Sequence, residues 1–245
     1  MMQRRSFIKK TSAAGIAMAL VPGITLNQEM EYSIVELMGK TNIELYGEGI
    51  NLRKKAHDAF LSMKRAAYSD GIDLKIVSSF RSFQRQEIIF ERKFITYTED
   101  DEMEPLAAID KIIEYSTIPG TSRHHWGTDI DVIDGYPKTN GDVLVPEKFE
   151  SGGPFENFKK WMDENSVIYD FHLVYTDNPK RRGFKYEPWH YSYAPISKPM
   201  LEAFRSKNIA QLLQLEEFYG AEHFTIGFLK NYIQNNILDI NRNLL

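Results

Sequence analysis

Cysteine is absent from the 245 residues. Neither a disulfide nor a lipoprotein anchor is therefore possible, and redox chemistry says nothing about where the chain works. A basic surplus is missing too, since 30 Lys and Arg face 34 Asp and Glu. Nucleic-acid binding rests on clustered Lys and Arg, so no nucleic-acid partner is expected. Internal repeats, low-complexity linkers and any apolar run suited to a membrane span are also lacking. The one long uncharged stretch, residues 11–28, is rich in Ala, Gly, Ser and Thr and is broken by Pro22. A span needs about 20 mostly apolar residues, which this stretch does not supply. It follows Arg4-Arg5-Ser6-Phe7-Ile8-Lys9, a twin-arginine pattern, so residues 1–28 read as an export segment rather than part of the fold. No clear A-x-A cleavage site follows, and retention as an anchor is the alternative. The expected location is periplasmic or cell-envelope, with no stable membrane span after removal. Removal takes Arg4, Arg5, Lys9 and Lys10 and no acid, which leaves 26 basic residues against 34 acidic ones, a net of −8. That length suits one domain with a sizeable core and argues against two full ones.

Two short stretches concentrate polar, metal-ligating side chains: Ser122-Arg123-His124-His125-Trp126-Gly127-Thr128-Asp129-Ile130-Asp131 and Glu187-Pro188-Trp189-His190. Zn²⁺ in a hydrolase usually takes three N or O side-chain ligands and leaves a fourth position to water, a set that His124, Asp131 and His190 fit. Glu187 is then free to act as base. The commoner zinc-hydrolase arrangement, two His one helical turn apart, does not occur here. After Gly127 the pattern alternates, with Thr128, Ile130 and Val132 on one face and Asp129, Asp131 and Ile133 on the other, which is a strand after a turn. If the first face enters the core, Asp131 points to a cleft and the preceding loop folds His124 over the same place. Pro188 excludes regular central-strand pairing, and a straight strand would set Glu187 and His190 on opposite faces, so an irregular turn is expected. His125, beside His124, is the competing imidazole.

Elsewhere, Leu52, Ala56, Ala59, Phe60, Met63 and Ala67 recur at helical spacing over residues 51–69, with Asn51 as a candidate N-cap. Residues 74–78 read as a strand that delivers Arg81, Ser82 caps a helix to about residue 94, and the acidic run 99–102 reads as a solvated loop. Pro105 opens another helix, residues 142–145 suit a short strand, 154–165 a helix and 171–175 a strand. Lys180-Arg181-Arg182 reads as soluble surface. Beyond Pro195, Phe228, Leu229, Tyr232, Ile233, Ile237 and Ile240 form one helical stripe, expected to pack on the preceding domain.

The two polar stretches resemble the VanY-like D-alanyl-D-alanine carboxypeptidases, zinc peptidases of bacterial cell-wall metabolism that share a fold with the hedgehog signalling domain. The family pattern S-x-H-x-x-G-x-A-x-D is met by Ser122, His124, Gly127 and Asp131, and E-x-W-H by Glu187, Trp189 and His190. A third element, S-x-x-R-S-x-x-x-Q, is met by Ser78, Arg81, Ser82 and Gln86. The likeness covers residues 51–194. Asp129 stands where the family usually has Ala, and Tyr169-Asp170-Phe171 then Val174 replaces a frequent Y-G-F and Arg.

The resemblance implies an α+β fold, a small antiparallel sheet flanked by helices, over residues 29–195, with 196–245 as a helical C-terminal extension. It selects His124 over His125 as the ligand beside Asp131 and His190, and assigns Glu187 as base. Arg81, with Ser122 and Gln86, is expected to hold the substrate's terminal carboxylate, for which a guanidinium fork is suited. Asp129 and Trp189 are expected just outside the ligands, and Trp126 near them. The implied reaction is removal of the terminal D-Ala from peptidoglycan stem peptides. L,D-carboxypeptidase or endopeptidase activity is the neighbouring reading, and a non-catalytic zinc module like the hedgehog domain the distant one. Retention of both Glu187 and Arg81 favours the enzymes.

Overall fold

The apolar spacing that marks helices in the sequence is used as such in the computed structural model, which describes residues 32–245; the export segment expected at 1–28 lies outside the described residues. Residues 31–245 form one compact unit. A one-turn helix α1 (Ile34–Leu37) precedes α2 (Lys54–Ser69), whose Ala56, Phe60, Met63 and Ala67 are buried on one face. The helix begins after Arg53 rather than after Asn51. Asn51 has a φ of 50° and Leu52 is bridged to Tyr46, so helical geometry starts two residues later than the capping pattern predicts.

β1 (Leu74–Ser78) leads to α3 (Phe83–Ile95), capped as expected by the Ser82 hydroxyl accepting from Arg85 N. The acidic run is exposed but is not a plain loop: Thr96–Asp100 continues α3 as a π-helical turn. α4 (Pro105–Ile112) has proline in its first turn, where the missing N–H costs nothing. A 3₁₀ turn, Arg123–Trp126, then feeds β2 (Asp129–Asp134), followed by α5 (Glu156–Asn165), β3 (Phe171–Leu173), β4 (His190–Tyr193) and α6 (Ala194–Arg205). The strand predicted at 142–145 is absent. Asp142 Oδ1 accepts from Leu144 N, and Lys148 Nζ donates to the Asn140 and Asp142 carbonyls, which curls the segment away from strand pairing.

The four strands form one antiparallel sheet in the order β1-β2-β4-β3. β2 and β4 are central, and every residue of both is buried. Two apolar cores flank the sheet and turn. One joins α2 and α5 to Ile130, Val132, Trp189 and Tyr191 of the strand region. The other joins α3, α4 and Trp126 to residues beyond 196, in α6, α7 (Ile209–Leu213) and α8 (Ile226–Tyr232). Leu229, Tyr232, Ile237 and Ile240 of the predicted stripe are buried there. Arg181, read from sequence as soluble surface, instead donates to the carbonyls of Thr176, Phe184 and Asp239 and ties its loop to the C-terminal segment.

Tyr232 carries the C-terminal residues to the loop before the 3₁₀ turn. Its hydroxyl accepts from Ile118 N at 3.0 Å and bonds Thr121 Oγ1 at 2.9 Å; because Thr121 gives its own proton to Ile118 O, Tyr232 is the donor in that pair. Tyr232→Phe leaves a buried N–H without a partner and is expected to cost about 1–3 kcal/mol in urea denaturation. An unchanged midpoint would mean that the loop holds itself.

Candidate functional site

The strand register does most of the assembly. Asp131 on β2 lies opposite His190 on β4, and Asp129 opposite Ser192, so all four side chains share one face. The 3₁₀ turn ends at Gly127, whose φ of 65° lets the chain reverse into β2 and folds His124 back over that face. Glu187 to His190 is the irregular turn that Pro188 leads one to expect, closed by His190 N donating to Glu187 O. One nitrogen or oxygen from each of His124, Asp131 and His190 lies within 4.8 Å of the others, and all three residues are buried.

The hydrogen bonds aim one ring nitrogen of each imidazole at Asp131. His124 Nδ1 is 2.7 Å from the Ser79 carbonyl, which only accepts, so the proton sits on Nδ1 and Nε2 faces Asp131 Oδ2 at 3.4 Å. His190 Nε2 is 3.0 Å from Asp129 Oδ2, which directs Nδ1 toward Asp131 Oδ1 at 3.8 Å and Glu187 Oε2 at 2.9 Å. Asp131 Oδ1 is buried with no hydrogen-bond partner. Donors bound at about 2.0–2.1 Å to one tetrahedral ion sit roughly 3.3 Å apart, so these separations and the orphaned oxygen fit a small divalent cation. Burial opposes charging of His190, but its bonds to Asp129 and Glu187, with Asp131 nearby, push it up to about 10. Burial raises the Glu187 pKa against the pull of His190. Asp131 is lowered despite burial, through His124 and His190.

Asp129 is fully buried, and both its oxygens are occupied. Oδ1 accepts from Thr128 and Ser192, Oδ2 from Arg123 Nε at 2.9 Å and from His190. Burial works against its ionisation, yet Arg123 and His190 hold it below the usual carboxylate range. The sequence pattern offers Asp129 as a ligand-orienting residue; it contains no sign of Arg123 as its counter-ion.

His125 is taken out of contention by its surroundings. Its Nδ1 donates to Arg81 O and its Nε2 accepts from Gly120 N, so neither nitrogen is free, and burial pushes it down to about 3. Arg81 donates from Nη1 to Gln86 Oε1 and from Nη2 to Ser78 Oγ, 4.0 Å from Asp131. Gln86, expected to touch ligand, does not reach the cleft: it is 0 % exposed and its amide is spent between Arg81 and the Thr117 carbonyl. It orients Arg81 instead. Trp126 is likewise not a wall of the site, because its indole donates to Leu37 O and packs in the core beside Phe204. Trp189 does line the cleft, backed by Phe149. The cleft encloses about 510 Å³ and also presents Arg81, Ser122 and Glu187.

The family described as VanY: D-alanyl-D-alanine carboxypeptidase matches residues 49–196, more than half of the chain. A putative carboxypeptidase of Bacillus subtilis, YodJ, is 30 % identical over 169 residues, 69 % of this chain and 53 % of that protein, so the chain spans about half the length of this relative. Two solved structures share the fold at 20 % identity. VanYB in complex with D-alanine-D-alanine superposes with a TM-score of 0.52 over 73 % of this chain and 92 % of that one. A mutant of the vancomycin resistance D,D-pentapeptidase VanY in complex with Zn(II) gives 0.51 over 71 % and 90 %.

Asp129→Ala alone strands the buried Arg123 guanidinium and is expected to cost about 3–5 kcal/mol of stability. Adding Arg123→Met should restore most of it, while metal affinity measured by chelator competition stays about 10–100-fold low because His190 has lost its orienting acceptor. Full recovery of affinity in the double variant would show that Asp129 serves stability alone.

Proposed function

Because this chain belongs to the VanY family of D-alanyl-D-alanine carboxypeptidases, we propose that it is an exported, zinc-dependent carboxypeptidase that removes the terminal D-alanine from peptidoglycan stem peptides. The observation that carries this reading is the unpartnered Asp131 Oδ1, flanked by two imidazoles whose far nitrogens are already engaged. His124, Asp131 and His190 are the ligands in this assignment, an open N/O set of the kind hydrolases use. Zinc held there supplies Lewis acidity and brings the pKa of a water from about 15.7 towards about 7.

Glu187 is the proton carrier. Its carboxylate stands at the edge of the candidate ligand triad, 2.9 Å from His190 Nδ1, and would be free of that bond if Nδ1 held the metal. A carboxyl whose pKa burial has raised is suited both to take a proton from the attacking water and to hand it to the departing amine. Arg81 keeps three N–H groups after its bonds to Gln86 and Ser78, enough for a two-pronged grip on a terminal carboxylate. Ser122 Oγ accepts from His124 N, which leaves its own proton for the substrate. Both groups are fixed before binding, so the scissile bond is aligned at little entropic cost. The D-alanine-D-alanine held by VanYB supports a short peptide end with a free carboxylate as the recognised piece. In this reading residues 1–28 direct export to the periplasm or cell envelope, 29–195 carry the peptidase domain and 196–245 complete its core.

The direct test incubates purified protein with defined muropeptides, with and without a chelator, and weighs the products. Loss of one terminal D-alanine, abolished by chelation and restored by zinc, is expected; cleavage at an L,D bond would redirect the substrate assignment, and no product would overturn the activity. Glu187→Gln should keep its zinc by elemental analysis while turnover falls by about 10²–10⁴-fold; parental turnover would place the base elsewhere. Arg81→Ala should lose its preference for free-acid over amidated peptide ends, and an unchanged ratio of the two rates would remove that role.

A further inference from the structure

We infer that Arg181 is a positioning residue for the candidate metal site: acting through the ring of Tyr175, it fixes the His190 imidazole and ties that imidazole to the C-terminal segment. The inference rests on the zinc peptidase reading above. Tyr175 is 3 % exposed, follows β3 and lines the cleft. It touches both ends of the turn into β4. Its carbonyl accepts from Glu187 N at 3.1 Å, and its ring stands at 86° to the His190 imidazole with the centroids 5.1 Å apart. This is a favoured arrangement for two aromatic rings. The bond from His190 Nε2 to Asp129 sets where one edge of the imidazole lies but leaves the ring able to swing about that edge. A second ring packed against it removes the swing, and with it the freedom of Nδ1 to leave Asp131.

What holds Tyr175 is the Arg181 guanidinium, 5.3 Å from the centre of its ring. All three guanidinium nitrogens are engaged: Nη1 donates to Thr176 O, Nη2 to Phe184 O and Nε to Asp239 O, so the plane cannot tilt away from the ring. Phe184 closes a further side of Tyr175, with centroids 5.0 Å apart. Among the described residues Arg181 makes no ion pair within 4.0 Å, because the Asp239 carboxylate is turned instead to Arg182 N and Gly183 N. A cation bonded only to neutral carbonyls keeps its attraction for an aromatic face, which a tie built merely to close a loop would not need. The loop also lies directly on the C-terminal segment, since a Cβ at Gly183 would overlap the Asn235 carbonyl. Asn235 and Asp239 both lie beyond residues 49–196, the stretch that the family matches.

The test measures zinc affinity of the full-length protein by chelator competition, a readout that does not depend on turnover. Arg181→Met and Tyr175→Leu should each weaken zinc binding about tenfold, the low end of what a partner behind a ligand contributes. Because one acts through the other, the double variant should bind no more weakly than either single one. Separate losses that multiply to about a hundredfold would overturn the inference. Tyr175→Phe keeps the ring and should retain wild-type affinity; a loss equal to that of Tyr175→Leu would assign the effect to the hydroxyl and overturn it as well. Asp239→Ala frees Arg182 N and Gly183 N while the Asp239 carbonyl still holds Arg181, so Tm should fall and affinity stay at the wild-type value. A loss of affinity there matching Arg181→Met would reduce Arg181 to a loop tie. If Arg181→Met does not fold, Arg181→Gln, which keeps a donor for one carbonyl, takes its place in the same cycle. With muropeptides the Arg181 and Tyr175→Leu variants should lose kcat and keep KM. Absence of hydrolysis by wild type with the affinity pattern intact would overturn the peptidase reading and leave the positioning role standing.

Discussion

The site depends on one buried carboxylate having every lone pair occupied. An ionised carboxylate offers about four acceptor positions, and Asp129 fills them with Thr128, Ser192, Arg123 and His190. Removing such a group from water costs several kcal/mol, and only a complete set of donors with a counter-charge offsets it. The consequence for chemistry is the tautomer of His190: Nε2 is bound to the carboxylate, and Nδ1 is the nitrogen shown to the cleft. Arg123 is held in turn by Ser192 and by the face of Trp126, 4.8 Å away, whose indole is anchored to α1 through the Leu37 carbonyl. An unbroken set of contacts thus runs from the first described helix to the imidazole.

The same residues sit where the two apolar cores meet. His124 comes from the turn whose Trp126 is buried with α3, α4 and the C-terminal helices, while Asp131 and His190 come from strands buried with α2 and α5. Arg81 bridges them covalently, following β1 and preceding α3. In the reading proposed above, a cation held by His124, Asp131 and His190 would join side chains that come from both cores. This is why residues beyond 196, far from the cleft in sequence, bear on it: through Tyr232 they fix the loop that enters the His124 turn.

How much of this was readable beforehand depended on range along the chain. Period-two alternation after Gly127 and the proline before Trp189 sufficed to place Asp131 and Glu187 on a cleft, because both signals are local. The family spacing singled out His124, and the reason His125 is unavailable became visible only with Gly120 and the Arg81 carbonyl in place. The Arg123–Asp129 pair was illegible, since its meaning needs Ser192 and His190, some sixty residues later. Gln86 was misjudged because a motif gives a residue's identity without its direction; the amide points inward to Arg81 and Thr117. The C-terminal stripe announced a buried face but not what would cover it.

That division between local and long-range signals also separates chemistry from selectivity. The candidate ligands, Glu187 and Arg81 are carried by the 3₁₀ turn before β2, by β2, by the turn into β4 and β4 itself, and by the junction of β1 with α3. The stretch 142–147, most of which also lines the cleft, lies in no strand or α-helix and is kept by side-chain bonds such as those of Lys148. Loops set on a rigid frame are where selectivity commonly varies, and this stretch is such a loop.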